Sequence, residues 1–360
     1  MEWAGAFGDL GTLIPFVTAY IGVLGMDPFG VLFAFGVCMI ACGLYYKTPF
    51  PVQPMKAIGA VASIQAVQTA TVTPAAVYSA ALATGLIWFI IGVSGLMGRI
   101  AKLVPASVVI GIVLGLGFGF MLQGVKMMHD DGLIAAIGLG GTLMLMGNRK
   151  VPAMFVLLAF GALVGGLRQA SFEFSAPAFA LADLTWNQVF VGVVLLALPQ
   201  IPLTLGNAVI AITEENNKHF PQCPVNENKV ALSTGIMNLF SGFTGGIPMC
   251  HGAGGMAGHI AFGARTGGSV VILGAILLSL ALFFSSSVDA LFQLFPAPLL
   301  GVVLFITGMQ LAAGSSVLPA AKGDRSVALV CAALCIWNVA LGFLAGIALH
   351  HLVRRGWVRL

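Results

Sequence analysis

Apolar residues run along this chain in blocks of about 20, separated by short stretches that hold most of the charged side chains. A block of that length is what an α-helix needs to cross the hydrocarbon core of a bilayer. The pattern therefore predicts an all-α polytopic membrane protein with about 14 transmembrane segments. We place them at 4–24, 28–46, 50–68, 74–97, 104–124, 133–146, 151–167, 186–212, 230–242, 246–262, 268–284, 297–313, 325–337 and 338–352. Pro199 and Pro202 are expected to interrupt the eighth span.

The third and tenth spans are too rich in glycine and proline to be uninterrupted helices. The third opens with Pro49-Phe-Pro-Val-Gln-Pro-Met-Lys, and the tenth contains Gly246-Gly-Ile-Pro-Met-Cys-His-Gly. Proline fixes its own φ and biases the preceding residue away from helix, so each stretch predicts a short extended piece followed by a half-length helix. Non-helical backbone at membrane depth needs cover from protein or a water-filled cavity.

The two breaks belong to an internal repeat. Pro54-Met and Pro248-Met lie 194 residues apart, and Leu103-Val-Pro-Ala resembles Leu294-Phe-Pro-Ala at an offset of 191, which also relates Gly117 to Gly308. We assign the first repeat to 1–168, a connector to 169–185 and the second repeat to 186–360. Seven spans in each half would invert the second, so the two half-helices should meet at the midplane, as in transporters with inverted repeats.

Composition and charge agree with this map. The chain of 360 residues is 59% hydrophobic and 8% charged, whereas a soluble domain carries about 25% charged residues. Thirteen of the sixteen Lys and Arg residues fall on one side of the predicted spans, Lys126 and Arg168 fall on the other, and Lys56 lies within a span. The positive-inside rule then predicts an inner (plasma) membrane protein with both termini in the cytoplasm.

Several classes of function are disfavoured. The net charge of +4 is spread over short loops, so no nucleic-acid partner is expected. The six cysteines form no metal or disulfide framework, and His251 and His259 are eight residues apart rather than four, so we expect no metal and no cofactor. A membrane-embedded enzyme using His251 and Asp9 is one alternative, but no nucleophile–base motif accompanies them.

Four stretches resemble the signatures of a known family. Gly5-Ala-Phe-Gly-Asp-Leu-Gly-Thr, Pro51-Val-Gln-Pro-Met-Lys, Leu198-Pro-Gln-Ile-Pro-Leu-Thr-Leu-Gly-Asn and Pro248-Met-Cys-His-Gly-Ala-Gly-Gly are similar to those of MOT-type molybdate transporters, a branch of the SulP sulfate-permease superfamily. The resemblance covers nearly the whole chain. It implies a seven-plus-seven inverted repeat in which a core (gate) domain and a scaffold domain each draw on both repeats.

Helix starts and neutral polar side chains are the candidate substrate ligands. Free N–H groups at a helix N-terminus carry partial positive charge and bind anions. We therefore expect donors from the backbone near Met55, Lys56, Cys250, His251 and Gly252. Amides and hydroxyls from Gln53, Gln200, Thr204 and Asn207 would shape the pocket. For these four, hydrogen bonding between helices is an equal alternative.

Charged and titratable residues are candidates for coupling or gating. Lys56 would complement an anion, or would pair with Asp9. Asp9, with Thr12 beside it, would oppose an anion unless it pairs or takes up a proton. The His251 side chain would donate to the anion or link transport to pH. Glu214 ends the eighth span, either solvated or as a proton carrier.

These residues predict a secondary active transporter that carries a tetrahedral oxyanion by alternating access. Molybdate is the first expectation, tungstate nearly coincides with it in size and charge, and a sulfate or other anion permease of the same fold is the alternative. A nucleobase carrier is less favoured, because Lys56 indicates an anion. We expect the lipid bilayer, a small oxyanion and a second copy of the chain in a homodimer as partners.

Overall fold

The structure, a computed structural model of the chain, is largely helical over the described parts of the spans predicted from apolar blocks. The residues that the structure describes are 1–18, 20–21, 24–55, 58, 72–102, 104–146, 148, 151, 153–165, 184–288, 296–314 and 321–358. The third half-helix, apart from Met55 and Ile58, lies outside them. So do Lys56 and the connector before residue 184.

The helices and strands follow in chain order. They are α1 (Glu2–Ala6), α2 (Leu10–Thr18), α3 (Pro28–Tyr46), β1 (Gln53–Pro54), α4 (Pro74–Ser94), α5 (Met97–Lys102), α6 (Ala106–Met128), α7 (Gly132–Leu145), α8 (Ala153–Gly165), α9 (Trp186–Phe190), α10 (Leu198–Leu203), α11 (Ile212–His219), α12 (Glu227–Phe243), β2 (Met249–Cys250), α13 (Ala253–Ala261), α14 (Gly268–Phe284), α15 (Ala297–Gly314), α16 (Lys322–Trp337) and α17 (Val339–Arg354).

The structure confirms a mostly helical protein with helices suited to a membrane. Among the described residues, four helical runs are long and apolar enough to cross one: Pro28–Tyr46, Pro74–Ser94, Ala106–Leu145 and Gly268–Ser287. The third of these runs is divided by a 3₁₀ turn at His129–Asp131, and Asp131 caps α7 by accepting a hydrogen bond from the N–H of Ile134. The count of fourteen spans and the inversion of the repeats remain predictions.

Local sequence explains where α3 begins and ends. The carboxylate of Asp27 accepts hydrogen bonds from the N–H groups of Phe29 and Gly30, and Pro28 occupies the first turn, where its missing N–H costs nothing. Lys47 ends the helix in the left-handed region, with φ of 59°. These bounds are those that the apolar block predicted.

The prediction that Pro199 and Pro202 interrupt the eighth span is wrong. The backbone is α-helical over Leu198–Leu203 and lies between two π-helical stretches, Val191–Ala197 and Thr204–Ala211. Proline removes one N–H donor from the ladder, and wider π turns are a local adjustment that re-satisfies freed backbone groups. The helix therefore continues without a break and carries Gln200, Thr204 and Asn207 along it.

The first span contains a break that the sequence did not predict. A 3₁₀ turn at Phe7–Asp9 separates α1 from α2. At this turn the chain passes so close to α13 that a Cβ on Gly8 would lie 2.2 Å from the carbonyl oxygen of Gly258. This close passage sets Asp9, at the end of the turn, among the buried residues beside the tenth span.

The described helices pack in pairs around a shared apolar core. α3 packs on α14, α4 on α12, and α6 on both α15 and α16, while α13 lies against α15. The two breaks meet within this bundle, because β1 and β2 form a two-stranded antiparallel ladder.

Candidate functional site

The β1–β2 ladder joins the third and tenth spans by their extended pieces. Gln53 pairs with Cys250 and Pro54 with Met249, and the N–H of Met55 donates to the carbonyl oxygen of Pro248 at 2.8 Å. The prediction that the Met55 N–H binds substrate is therefore corrected: the ladder already uses this donor. Its side chain is fully buried.

Polar side chains from α12 hold the second break in its extended form. Asn238 donates from Nδ2 to the carbonyl oxygen of Met249 at 2.6 Å and accepts at Oδ1 from the Met249 N–H at 2.9 Å. Ser241 donates to the carbonyl oxygen of Ile247 at 2.7 Å. Buried backbone groups need hydrogen-bond partners. At the break, where helical hydrogen bonds are absent, these side-chain bonds supply them.

Helix α13 begins at the break without a side-chain cap. Gly252 is its N-cap residue, and no side chain bonds the first N–H groups within the described part of the chain. A helix leaves its first N–H groups without intrahelical acceptors, and the helix dipole adds partial positive charge there. The start of α13 is therefore a donor set with a preference for anions.

Gln53 lies directly over this helix start. A Cβ on Gly252 would fall 1.8 Å from Gln53 Oε1, and one on Gly255 would fall 2.8 Å from Gln53 Cδ. Glycine at both positions lets the amide approach the backbone of α13. Gln53 Oε1 is buried and has no hydrogen-bond partner among the described residues.

The other end of the Gln53 amide belongs to a network with the first span. Nε2 donates to Asp9 Oδ1 at 2.5 Å and to Thr12 Oγ1 at 2.7 Å, and the Thr12 hydroxyl also bonds Asp9 Oδ1. Asp9, Thr12 and Gln53 are thus brought together. The pairing of Asp9 with Lys56 stays a prediction, because Lys56 lies outside the described residues. A carboxylate that accepts from Nε2 directs Oε1 toward α13.

Two more buried polar groups lie near the helix start. Asn207 Nδ2 is 3.7 Å from where a Cβ on Gly252 would be, and its Oδ1 has no partner among the described residues. The Tyr20 hydroxyl, equally without a partner there, is within electrostatic range of Cys250. Such groups are costly in an apolar interior, so they indicate a place where a polar ligand completes the bonding.

Gln200 and Thr204 are placed one helical turn apart on the eighth span. Gln200 Nε2 donates to Thr204 Oγ1 at 3.0 Å, while its Oε1 accepts from the N–H of Ile58 at 3.4 Å. Gln200 therefore contacts the third span just after the break. The roles of Gln200 and Thr204 as substrate ligands stay predictions.

Both ring nitrogens of the His251 side chain form hydrogen bonds within the protein. Nδ1 bonds the carbonyl oxygen of Pro51 at 2.7 Å, and Nε2 bonds Ser233 Oγ at 2.8 Å. The ring packs edge-on against Tyr46 and Phe50. The expectation that this side chain donates to the substrate is corrected, since both ring nitrogens already have partners and its contacts tie the two breaks together.

The remaining candidates separate into buried and exposed groups. Gln53, Thr204 and His251 are fully enclosed, and Gln200, Asn207 and Cys250 are at most 3% exposed. Glu214 lies on α11 and is exposed. Partial burial and the neighbouring Glu215 carboxylate raise the pKa of Glu214. The described residues contain no group of three or more acidic, histidine or cysteine side chains that could hold a metal ion.

Sequence reasoning missed the residues that support the breaks. Asn238 and Ser233 lie within predicted apolar spans, although Asn238 bonds Met249 of the ladder and Ser233 bonds His251 next to it. A polar side chain inside a membrane span is costly unless it is bonded or functional, and that cost was the available signal.

Comparison with solved structures identifies the fold. The chain matches murine Solute Carrier 26 family member A9, an anion transporter in its inward-facing state, with a TM-score of 0.65 and 13% identity over 100% of this chain and 69% of that one. It matches the transmembrane domain of the cyanobacterium bicarbonate transporter BicA with a TM-score of 0.58 and 18% identity over 96% of both chains. The fold is that of an SLC26-type membrane transporter.

Comparison with protein families identifies the particular group. A family model described as "Molybdate transporter of MFS superfamily" matches residues 1–120 and 192–311. Molybdate transporter 2 of Arabidopsis thaliana is 31% identical over 98% of this chain and 87% of its own length, and Molybdate transporter 1 of the same plant is 30% identical over 99% and 88%. The chain belongs to the molybdate transporter family; it is an integral membrane transporter, not an enzyme.

Proposed function

We propose that this protein is a secondary active transporter of molybdate that binds the anion at the start of α13. The observation that carries the proposal is the uncapped helix N-terminus with the buried amides of Gln53 and Asn207 over it. Its family and fold support an anion as the cargo. Neutral amides and hydroxyls supply the hydrogen-bond donors that an oxyanion needs.

The proposed ligands are the donors that the structure leaves around the helix start. The backbone N–H groups of His251, Gly252 and Ala253 would bind oxygens of the anion, with Asn207 and the Tyr20 hydroxyl completing the shell. Gln53 would join once its amide is turned, so that Nε2 faces α13. The two ends of an amide are nearly indistinguishable in shape, so only the hydrogen-bond network decides its orientation. Lys56, on the same span as Gln53, remains a candidate for the positive charge.

Asp9 is the group that would decide the orientation of Gln53. As a carboxylate it accepts from Nε2, which leaves Oε1 toward the helix start. A proton taken up by Asp9 would let the carboxyl group donate to Oε1, and the amide would then present Nε2 to the anion. We propose on this basis that proton uptake at Asp9 favours anion binding, with Thr12 as the third member of the network.

Enclosure of the site supports alternating access. An anion cannot reach donors whose side chains are at most 3% exposed without a change in structure. We propose that a core containing both breaks moves against a scaffold to open the site to each side in turn. Under this proposal the described structure represents a closed arrangement of the site.

An inverted repeat is supported by contacts between its related residues. Gly117 and Gly308 touch each other, since a Cβ on either would lie 2.8 or 2.5 Å from the carbonyl oxygen of the other. In an inverted repeat, a residue near the two-fold axis contacts the residue that corresponds to it in the other repeat. The ladder likewise joins the break of one repeat to the break of the other. The two segments matched by the family model have equal lengths and begin 191 residues apart, the offset that relates these glycines.

Thermal unfolding of the purified protein with a panel of anions tests the substrate. A ligand that binds only the folded state at about a hundredfold over its Kd adds about 2.7 kcal/mol to the free energy of unfolding. We expect stabilisation by molybdate and tungstate and none by phosphate or uracil. Stabilisation by sulfate alone would keep the anion site and change the cargo, whereas stabilisation by uracil alone would contradict the proposal.

A further inference from the structure

A groove of about 580 Å³ lies between α3 and α12. Its walls are mainly apolar and include Val37, Ala41 and Met237. At its rim Tyr45 is 61% exposed and Ile236 is 52% exposed. In a membrane transporter such exposed apolar side chains on spanning helices contact lipid, so the groove opens toward the bilayer.

One end of the groove is polar and positively charged. Lys229 lines it in the first turn of α12, and the Tyr46 hydroxyl donates to the Lys229 carbonyl oxygen at 3.3 Å. Lys47 follows Tyr46 directly and is exposed. No salt bridge involves either lysine among the described residues. Glu227 is two residues from Lys229, about 200° around the helix axis, and so faces elsewhere.

The length of the groove matches one leaflet of a bilayer. Lys229 and Phe240 both line it, and eleven residues at 1.5 Å per residue separate them by about 16 Å along α12. Half of a hydrocarbon core of about 30 Å is about 15 Å. A chain that enters beside Lys229 would therefore reach the middle of the membrane beside Phe240.

We propose that this groove binds one anionic glycerophospholipid. Its phosphate would lie at Lys229 and Lys47, and one acyl chain would follow the apolar wall from Ala41 to Phe240. An ammonium group near the membrane interface is attracted to an anionic lipid headgroup with a free energy of about 1 kcal/mol. Its attraction to a zwitterionic headgroup, which has no net charge, is weaker. The charge at one end and the leaflet-long apolar wall select this occupant over a soluble phosphate.

Two lining residues connect the groove to the transport site. Tyr46 OH is 2.6 Å from Ser233 Oγ, which in turn bonds His251 Nε2 at 2.8 Å, and His251 holds Pro51 of the third span. Tyr46 and Ser233 also line the groove. An acyl chain seated there would restrict both side chains and would support the orientation of His251 between the two breaks.

Native mass spectrometry of the full chain in detergent tests the site. Dioleoyl phosphatidylglycerol is titrated against dioleoyl phosphatidylcholine, with glycerol 1-phosphate as a competitor that carries the charge without the chain. Lys229→Gln removes the proposed headgroup contact, and Ala41→Phe fills the groove. The matched controls are Lys218→Gln on α11 and Ala136→Phe on α7, both at exposed positions.

The proposal predicts one phosphatidylglycerol per chain, bound more tightly than phosphatidylcholine. Affinity falls about fivefold in Lys229→Gln, the equivalent of about 1 kcal/mol. Binding is lost in Ala41→Phe, both controls match the unaltered protein, and glycerol 1-phosphate does not compete. Equal binding of the two lipids would overturn the proposal. Undiminished phosphatidylglycerol binding in Ala41→Phe and Lys229→Gln would also overturn it. A change from dimer to monomer in Ala41→Phe would overturn it too, because the groove would then be an interface between copies of the chain.

Discussion

The two breaks share one ladder but contribute different parts of the proposed site. The second break supplies backbone: it is bonded on both sides of Met249 by Asn238, and it leads into the uncapped start of α13. The first supplies a side chain, Gln53, whose amide lies over that start and is tied to Asp9. Sequence symmetry therefore does not imply chemical symmetry: one half presents donors fixed by the helix, and the other an amide that can change its orientation.

The largest effect is expected where the two breaks touch most closely. Gly252→Ala places a methyl carbon 1.8 Å from Gln53 Oε1, and the enclosed amide cannot move aside without leaving Asp9 and Thr12. We expect molybdate affinity to fall about a hundredfold, or about 2.7 kcal/mol, in a binding titration. Gly141→Ala is the control, since its added methyl group meets nothing within 4 Å. Unchanged affinity in Gly252→Ala would remove this contact from the site.

Support of the second break is tested by Asn238→Ala. The substitution leaves the N–H and carbonyl groups of Met249 buried without their amide partner. Each buried group left unsatisfied costs about 1–3 kcal/mol, so we expect about 3 kcal/mol of lost stability, seen as a fall in Tm. Ser279→Ala removes an exposed hydroxyl from α14 and serves as the control. A Tm equal to the control would mean that α12 does not hold the break.

The proposed control of the Gln53 amide orientation by Asp9 is tested by Asp9→Asn. Asparagine can donate to Gln53 Oε1 at every pH, and this keeps Nε2 directed at α13. We expect uptake by the unaltered protein to rise on acidification, by up to about tenfold per pH unit, because one proton accompanies binding. Asp9→Asn should retain binding and lose this dependence, while Asp130→Asn, at an exposed turn, should keep it. An unaltered pH profile in Asp9→Asn would contradict the switch.

The smallest effect is expected from Ser241→Ala. It removes one hydrogen bond to the carbonyl oxygen of Ile247, at the entrance to the second break. A single bond of this kind is worth about 1 kcal/mol, and other contacts of the break remain. Thermal unfolding should show a small decrease in Tm relative to Ser326→Ala, which removes an exposed hydroxyl on α16. A loss as large as that of Asn238→Ala would show that the hydroxyl, rather than the amide, holds the break.

Patterns along the chain predicted much of the framework, since they report local physics. The bounds of α3 and α14 follow from apolar blocks with clear ends, and the positions of both breaks follow from proline and glycine. These features depend on properties of neighbouring residues, which the sequence displays directly.

Contacts and hydrogen-bond partners that are distant in the sequence could not be predicted in the same way. Both ring nitrogens of His251 can form hydrogen bonds with many kinds of partner. Only the folded structure shows that these partners are the carbonyl oxygen of Pro51 and the hydroxyl of Ser233. The turn at Phe7–Asp9 depends on the passage of Gly8 beside α13. The π turns around Leu198–Leu203 carry the helix through two prolines that the sequence alone indicated would break it.

Locating bound molybdenum tests the account most directly. Anomalous scattering measured on either side of the molybdenum absorption edge, from crystals of the protein grown with molybdate, would mark the position of the anion without reference to any variant. We predict one peak against the N–H groups at the start of α13, with the Gln53 amide on its other side. A peak confined to the 470 Å³ cavity beside Asn148 and Arg265, with none at α13, would contradict the account.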